Sequence, residues 1–344
     1  MNKTIIIQEQ GEAAFNFISK FLDVQNNEVE VLKTTTIFNI KKIHPPKNGI
    51  VNLNKINDIK EINLFFNEVN KKLVDDGIFI GCVETSEERR KRIYKKYPII
   101  LAQLYYFLDF MFKRVFSKLF FTKWFYFFVT AGRNQVLSKA EALGRVAYAG
   151  FEILDDDEIN NIHYFVAKKK GNFTSKPLPR FSLLFKMQRI GKNNKLITVY
   201  KIRTMHPYAE YLQDYLYKKN KLQKGGKFKN DYRITSWGRI FRKLWIDELP
   251  MLYNFLKLEI KLVGVRPISE HYLSLYNDEL KALRKTVKPG LIPPFYADLP
   301  ETIDEIIASE INYINAYHKS AFKTDVNYFF KAIINILFKK VRSN

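Results

Sequence analysis

The hydrophobic pattern of the chain changes period several times, and each change predicts an element. Near the N-terminus, "TIIIQ" (residues 4–8) and "VEVLKTTTIFNI" (residues 29–40) are rich in β-branched positions and predict strands. In "IKEINLFFNEVNKKLVDDGIFIGCVE" (residues 59–84) apolar residues first recur at helical spacing, and a short unbroken apolar run follows a turn at Asp75-Asp76-Gly77. That order predicts helix, turn and buried strand. Cys82 lies in the run and is expected to be a small buried side chain. A later stretch, "GFEILDDDEINNIHYFVAKKK" (residues 150–170), predicts two strands, with Asp155–Asp157 in a solvated turn between them.

Residues 98–130, "PIILAQLYYFLDFMFKRVFSKLFFTKWFYFFVT", contain 13 aromatic residues and follow the basic run "RRKRIYKK" (residues 89–96). Their longest uncharged stretch, Pro98 to Leu108, has 11 residues, short of the ~20 that a spanning helix needs. Lys113, Arg114, Lys118 and Lys123 interrupt the apolar run at intervals near one helical turn. This pattern predicts a helix lying in the headgroup layer of a membrane, its lysines on lipid phosphate. A helical pair packed on the protein's own core has the same composition. A polar, proline-bearing link, "KKKGNFTSKPLPRFS" (residues 168–182), follows and separates two expected domains, 1–170 and 171–344. The helix, turn, buried strand and hairpin of residues 60–85 and 150–170 resemble the back half of a methyltransferase-like Rossmann domain. Only Gly11 stands near the N-terminus where that family has a glycine-rich cofactor loop, so the domain is expected to be a divergent Rossmann-like α/β scaffold without catalysis of its own. The second domain is expected to be compact and α+β.

Charge narrows the partners. The 344 residues include 57 basic and 35 acidic side chains, a formal net charge of +22, with 15% aromatics. An anionic partner follows: nucleic acid, a phospholipid surface or a phosphorylated substrate. The mixture of basic and aromatic residues favours the membrane surface, and no nucleic-acid motif is present. One cysteine excludes an intramolecular disulfide and a multi-cysteine zinc site. The N-terminal apolar stretch is too short for a secretory signal, so a cytoplasmic protein is expected.

The residues with chemistry lie in the second domain. "FKMQRIGKNNKLITVYKIRTM" (residues 185–205) predicts a hairpin around Gly191–Asn194, with Arg189, Lys201 and Arg203 near its ends. In "DYRITSWGRIFRKLWIDELPMLYNFL" (residues 231–256), Ile240, Phe241, Leu244 and Leu249 follow helical spacing, with Arg239, Arg242 and Lys243 on the other face. Asp247 and Glu248 stand side by side in this apolar run. Neighbours on a helix diverge by about 100°, so both cannot face a core. Pro250 predicts a kink at Leu249. "LEIKLVGVRP" (residues 258–267) predicts a strand ending in a turn at Arg266. Arginines from three segments suit bidentate binding of a diphosphate, and a carboxylate pair among them is expected to stay ionised. One carboxylate could then attack phosphorus while the other holds Mg²⁺. Taken alone, Asp247 also reads as a helix cap with Glu248 on a solvated face. Arg239 and Arg242, taken singly, read as a solvated basic face.

The ordered string D-x-R-x-T, G-R-x-x-R, D-E-L-P and L-V-G-x-R-P, with the hairpin before it, resembles the bacterial sugar transferases over residues 180–275. These are monotopic polyprenol-phosphate phosphoglycosyl transferases. The resemblance implies transfer of a phospho-sugar from a UDP-sugar to a polyprenol phosphate, such as undecaprenyl phosphate, with release of UMP. Such reactions initiate capsule, exopolysaccharide or O-antigen synthesis at the cytoplasmic side of the bacterial inner membrane. It implies Asp247 as nucleophile, forming a phosphosugar-aspartate intermediate, and Glu248 as ligand of Mg²⁺. It further implies Arg189, Lys201, Arg203, Arg233, Arg239 and Arg266 as substrate contacts, to which the basic face adds Arg242. Three stretches differ from the family pattern: the polar link replaces a re-entrant membrane helix, Val265 replaces a proline, and residues 288–300 read "KPGLIPPFYADLP". Membrane contact is accordingly expected through residues 89–130. A catalytically silent scaffold that docks on the membrane and organises polysaccharide assembly is the alternative.

Overall fold

Three parallel strands and an antiparallel hairpin organise the N-terminal part of the chain. The computed structural model describes residues 2–117, 120–171, 181–220, 222–223, 227–228 and 231–338. The chain forms two compact units, one of Met1–Leu178 with His206–Lys219, the other of Pro179–Met205 with Asn220–Asn344. Both mix helix and strand. The return of residues 206–219 to the first unit goes beyond the division expected at residue 170.

In the first unit, β1 (Val29–Leu32), β2 (Lys47–Lys55) and β3 (Leu73–Val83) run parallel. The hairpin β4 (Phe151–Ile159) and β5 (Ile162–Lys169) joins through β5, giving the order β1-β2-β3-β5-β4. Helices α1 (Asn2–Gln10) and α2 (Glu12–Ser19) bury Ile6, Ala14, Phe17 and Ile18 against Val51, Leu53, Ile80 and Val166 of the sheet. α3 (Ile37–Lys41) and α4 (Ile62–Lys71) follow β1 and β2, and Phe66 of α4 packs edge-on against Phe79 and Phe165. β3 is therefore covered from both sides, which explains its unbroken apolar run. The remaining helices are α5 (Ser86–Lys96), α6 (Ile99–Phe110), α7 (Phe120–Thr130), α8 (Lys139–Tyr148) and α9 (Gln213–Asn220).

Several sequence expectations change here. "TIIIQ" is helical, because α1 closes one face of the sheet by burying Ile6 completely; burial overrides β propensity. The strand expected over residues 29–40 ends at Leu32, and Ile37–Lys41 is helix. α4 and β3 lie where the pattern put them. Asp155–Asp157 belong to β4, not to the turn, which is formed by Asn160 and Asn161 at φ 53° and 61°, values that Asn tolerates. Asp156 is buried against His163 at 2.9 Å and Lys219 at 2.8 Å. Cys82 is buried, and burial pushes its thiol up to about 12. Residues 172–180 of the polar link lie outside the described residues.

The aromatic segment is a helical pair, α6 and α7, joined through a wide π-type turn at Met111–Val115. Its described charges, Asp109, Lys113 and Arg114, face inward. Asp109 accepts from Arg89 of α5 at 2.6 and 2.9 Å and from Lys113 at 2.8 Å. Arg114 pairs with Glu141 of α8 and donates to the Val136 carbonyl at 2.8 Å. Lys113 and Arg114 are thus not the lipid-facing cations that the spacing suggested. Lys118 and the side chain of Lys123 lie outside the described residues. Among the described residues no helix is long and apolar enough to cross a membrane.

The second unit begins with the hairpin β6 (Leu184–Ile190) and β7 (Leu196–Ile202), turned at Asn193 and Asn194 with φ of 55° and 58°. The short pair β8 (Leu222–Gln223) and β9 (Lys227–Phe228) precedes α10 (Ser236–Lys243) and α11 (Met251–Leu256). β10 (Lys261–Val263) pairs in parallel with β11 (Gly290–Ile292). The pair is so close that a Cβ on Gly290 would lie 2.1 Å from the Gly264 nitrogen. α12 (Glu270–Ser274), α13 (Asp278–Thr286), α14 (Phe295–Asp298), α15 (Ile303–Lys319) and α16 (Ala321–Phe338) complete the unit. Val263, Val265, Ile268, Leu280, Tyr313 and Ile314 form its main core. Val265, where the family pattern has proline, is a buried member of that core.

Candidate active site

The site is built where α10 stops. Thr235 caps α10, accepting from the Gly238 N–H at 2.9 Å, a cap usually worth about 1 kcal/mol. Both its N–H and its hydroxyl donate to the Thr204 carbonyl, at 2.9 and 3.0 Å, which fixes the helix start against the end of β7. A Cβ on Gly238 would lie 2.2 Å from that carbonyl, so the contact needs glycine. Further along α10, Arg242 Nε donates to Thr204 Oγ1 at 2.8 Å. Helix register and hairpin end therefore place the Arg242 guanidinium together.

The helix breaks earlier than Pro250 suggested. Trp245 takes the left-handed conformation at φ 58°, and a single 3₁₀ turn at Ile246–Glu248 follows. Leu249 stays helical at φ −51° and Pro250 simply opens α11. A bulky residue at positive φ is strained, and Trp245 is held there by packing on Tyr296, ring centroids 4.7 Å apart. The break turns the carboxylates away from the outward face of α10. Ile240 and Leu244 are exposed, Leu244 at 61%, contrary to a core-facing role, and Arg242 points inward instead.

Asp247 is buried, with 5% of its surface accessible, and its Oδ1 has no hydrogen-bond partner among the described residues. A buried acceptor without a donor costs free energy and marks a place where something else is accommodated. Burial, and then the charge of Glu248, raise its carboxyl above the ordinary aspartate range, while Lys201 and Arg242 pull it back. Burial outweighs the cations, so the pocket does not depress Asp247 as expected from sequence. Glu248 is half-buried and takes Lys201 Nζ at 2.5 Å. Arg242 lies under the influence of Asp247 and Asp231, its own proton affinity lowered mainly by burial. Arg233 is clamped by Asp231 at 2.7 and 2.9 Å and adds its charge beside Arg242.

Asp247, Glu248, Lys201, Arg242 and Arg233 thus form one electrostatic cluster. Arg189 and Arg266 form a second: burial and then the Arg266 charge lower the proton affinity of Arg189. Arg266 is exposed over the Phe295 ring at 5.6 Å, and its carbonyl is held by Arg284 at 2.6 Å. Arg203 lies over Phe181 and Phe185 and donates to the Ser182 carbonyl. Arg239 is exposed on α10. Sequence reading did not single out Asp231, Thr204 or Asn254. Asn254 is fully buried and ties α11 to β7 by donating to the Thr198 carbonyl at 2.7 Å. A polar residue inside "MLYNFL" was the available signal.

Comparison with known proteins places this geometry in context. Residues 174–339 match the family model described as bacterial sugar transferase. The galactosyl transferase CpsE of Streptococcus agalactiae serotype III is 36% identical over 139 residues, covering 39% of this chain and 30% of that protein. The uncharacterized sugar transferase EpsL of Bacillus subtilis is 40% identical over 109 residues, 32% of this chain and 48% of that protein. The undecaprenyl-phosphate galactose phosphotransferase of Salmonella typhimurium is 39% identical over 109 residues, 30% of this chain and 23% of that protein. The matched stretch spans less than half of each of these relatives.

Proposed function

Because residues 174–339 belong to the bacterial sugar transferase family, we propose that the protein moves a sugar phosphate from a UDP-sugar to a polyprenol phosphate such as undecaprenyl phosphate. The observation that carries this reading is the buried, bare Oδ1 of Asp247 beside Lys201 and Arg242. In the reaction, the Asp247 carboxylate attacks the phosphorus bonded to the sugar oxygen. A P–O bond forms to Asp247, the bond to the bridging diphosphate oxygen breaks, and UMP leaves with that oxygen and its electron pair. The phosphate oxygen of the lipid then attacks the same phosphorus and displaces Asp247, which regains its charge. Lys201, Arg242 and Arg233 offset the negative charge of the diphosphate in the first step. Arg189 and Arg266 provide a second cationic pair for phosphate oxygens, and Arg203 and Arg239 supply further positive charge.

Asp247 and Glu248 fit Mg²⁺ by their donor chemistry: two adjacent carboxylates, one with an unpartnered buried oxygen. Among the described residues no group of three or more His, Cys, Asp or Glu could hold a metal. A single carboxylate with substrate phosphates and water is an ordinary Mg²⁺ shell, and Glu248 would supply it. Bound there, the ion would neutralise diphosphate charge. For its part, Lys201 must release Glu248 for that to happen.

A lipid acceptor would place the reaction at the cytoplasmic face of the membrane, and the exposed side chains around the dyad suit it. Leu249, Leu252 and Leu256 are exposed on the turn and helix that follow the acids. The N-terminal unit serves as a Rossmann-like scaffold without chemistry of its own. The test is to incubate the purified full chain with a panel of UDP-sugars, polyprenol phosphate and Mg²⁺. UMP release and a phosphosugar adduct on Asp247 are expected. Neither product with any donor would overturn the proposal.

A further inference from the structure

The helical pair α6–α7 is inside out. In α7, Phe121, Trp124, Phe125, Phe128 and Val129 recur at i, i+3, i+4, i+7 and i+8, the spacing with which a helix normally faces its core. Here that stripe faces outward: Phe121 is 90% exposed, Trp124 73% and Phe128 75%. In α6, Ile100, Leu104, Phe107 and Leu108 repeat the spacing and are exposed too. The charged groups described in the same segment do the opposite, although Gln103 of α6 is exposed. Asp109 and Arg114 are tied into ion pairs with Arg89 and Glu141, side chains that are themselves buried. Tyr126, a buried residue of α7, donates to the Arg133 carbonyl at 3.1 Å. Polar-in and apolar-out is what a lipid surface selects and water does not, and an apolar patch of this extent marks an interaction site.

Charge identifies the occupant. Arg90, Lys95 and Lys96 of α5 are exposed, precede the pair directly and have no ion pair among the described residues. No acidic side chain accompanies the exposed stripe: the one acid of α6, Asp109, is consumed by Arg89 and Lys113. A basic edge bordering an aromatic, acid-free face is complementary to anionic lipid headgroups over acyl chains. With helices of 12 and 11 residues, the pair can lie in the interface but not span it.

We infer that α6 and α7 are a rigid membrane-docking platform that seats the N-terminal unit in the headgroup layer of an anionic bilayer, with α5 supplying the headgroup contacts. The inference rests on the proposed function only in that a lipid acceptor gives the docking a purpose. The ion pairs beneath the platform hold it preformed, so binding needs no folding of the segment.

The experiment is co-sedimentation of the full chain with phosphatidylcholine vesicles with and without phosphatidylglycerol. Wild type is expected to sediment with the anionic vesicles and tenfold less with neutral ones. Phe121→Glu/Trp124→Glu/Phe128→Glu is expected to lose at least tenfold in vesicle binding while keeping the wild-type circular dichroism. Arg90→Gln/Lys95→Gln/Lys96→Gln, which leaves the apolar face untouched, is expected to remove most of the preference for anionic lipid. Wild-type binding by the triple glutamate variant would overturn the inference. So would a wild-type dimer by light scattering that becomes monomeric in that variant, since the stripe would then be covered by a second copy. Turnover separates this from the catalytic reading: with a short, water-soluble prenyl phosphate the triple variant is expected to match wild type, and with the long-chain acceptor in vesicles to fall tenfold. No turnover by wild type with either acceptor would sink the catalytic proposal and leave the sedimentation result standing.

Discussion

Lys201 Nζ lies 2.5 Å from Glu248 Oε1, so the lysine at the end of the hairpin neutralises the second acid of the pair and not the first. Asp247 keeps a bare oxygen in a buried setting. The two neighbours therefore have different chemistry: one carboxylate is engaged by a cation, the other is poorly solvated and open to a new bond.

Asp247→Asn should abolish UMP release, by ~10³-fold or more, as removal of a nucleophile does, without unfolding the protein. The carboxyl is held above its ordinary range, so the folded state binds more protons than the unfolded chain. Stability is then lost as pH rises through that window, and the neutral amide removes the loss. At neutral pH the variant is expected to be more stable than wild type. Thermal melts at pH 5 and pH 7.5 check the sign: the difference should shrink at the lower pH.

Activity should follow the same group in the opposite sense. Attack needs the ionised carboxylate, so kcat/KM should decline on acidification from above the ordinary aspartate range. Burial is the first cause of the shift and Glu248 the second. Glu248→Gln should therefore lower the Asp247 titration point, and Lys201→Met should raise it. Carboxyl NMR of the three proteins reads this directly, and a titration point that moves in neither variant would contradict the described geometry.

Chelation of divalent cations should stop turnover, and added Mg²⁺ should restore it. Glu248→Gln is expected to raise the Mg²⁺ concentration needed for half-maximal rate by at least tenfold. Calcium, which prefers more ligands at longer distance, should restore much less.

Gly238→Ala should destabilise the second unit although alanine is the better helix former. The new methyl would meet the Thr204 carbonyl at 2.2 Å, and overpacking of this kind typically costs about 1–3 kcal/mol. Because Thr204 also orients Arg242, turnover should fall with stability. A melt unchanged from wild type would show that α10 can shift away freely.

The elements most legible in sequence were those in which local pattern and tertiary burial agree. α4, β3 and the β4–β5 hairpin follow periodicities that the sheet rewards. Ile5, Ile6 and Ile7 misled because a β-branched run is equally at home on a buried helix, and only the sheet decides. The dyad was visible through its improbable place in an apolar run. Its electrostatics were not: the count of nearby arginines predicts a depressed carboxyl, whereas burial is a property of the assembled fold. Arg189 and Arg266, 77 positions apart in sequence, likewise reveal their coupling only when folded. The α6–α7 segment announced an unusual surface, but its spacing could not say that Lys113 and Arg114 turn inward, because Arg89, which holds Asp109 beside Lys113, and Glu141, which pairs with Arg114, lie on other helices.

The excursion of residues 206–219 has a consequence for how this protein can be divided. Within the first unit, the Tyr208 hydroxyl accepts from Asn63 at 2.6 Å, and Lys219 reaches the buried Asp156. A gene cut at the polar link near residue 175 would strip the N-terminal fragment of both, leaving a charged side chain interred without one of its counterions. The α/β scaffold is thus no detachable cassette: it and the family region are stitched together by one loop of backbone, and would have to be inherited, shuffled or expressed as a single piece.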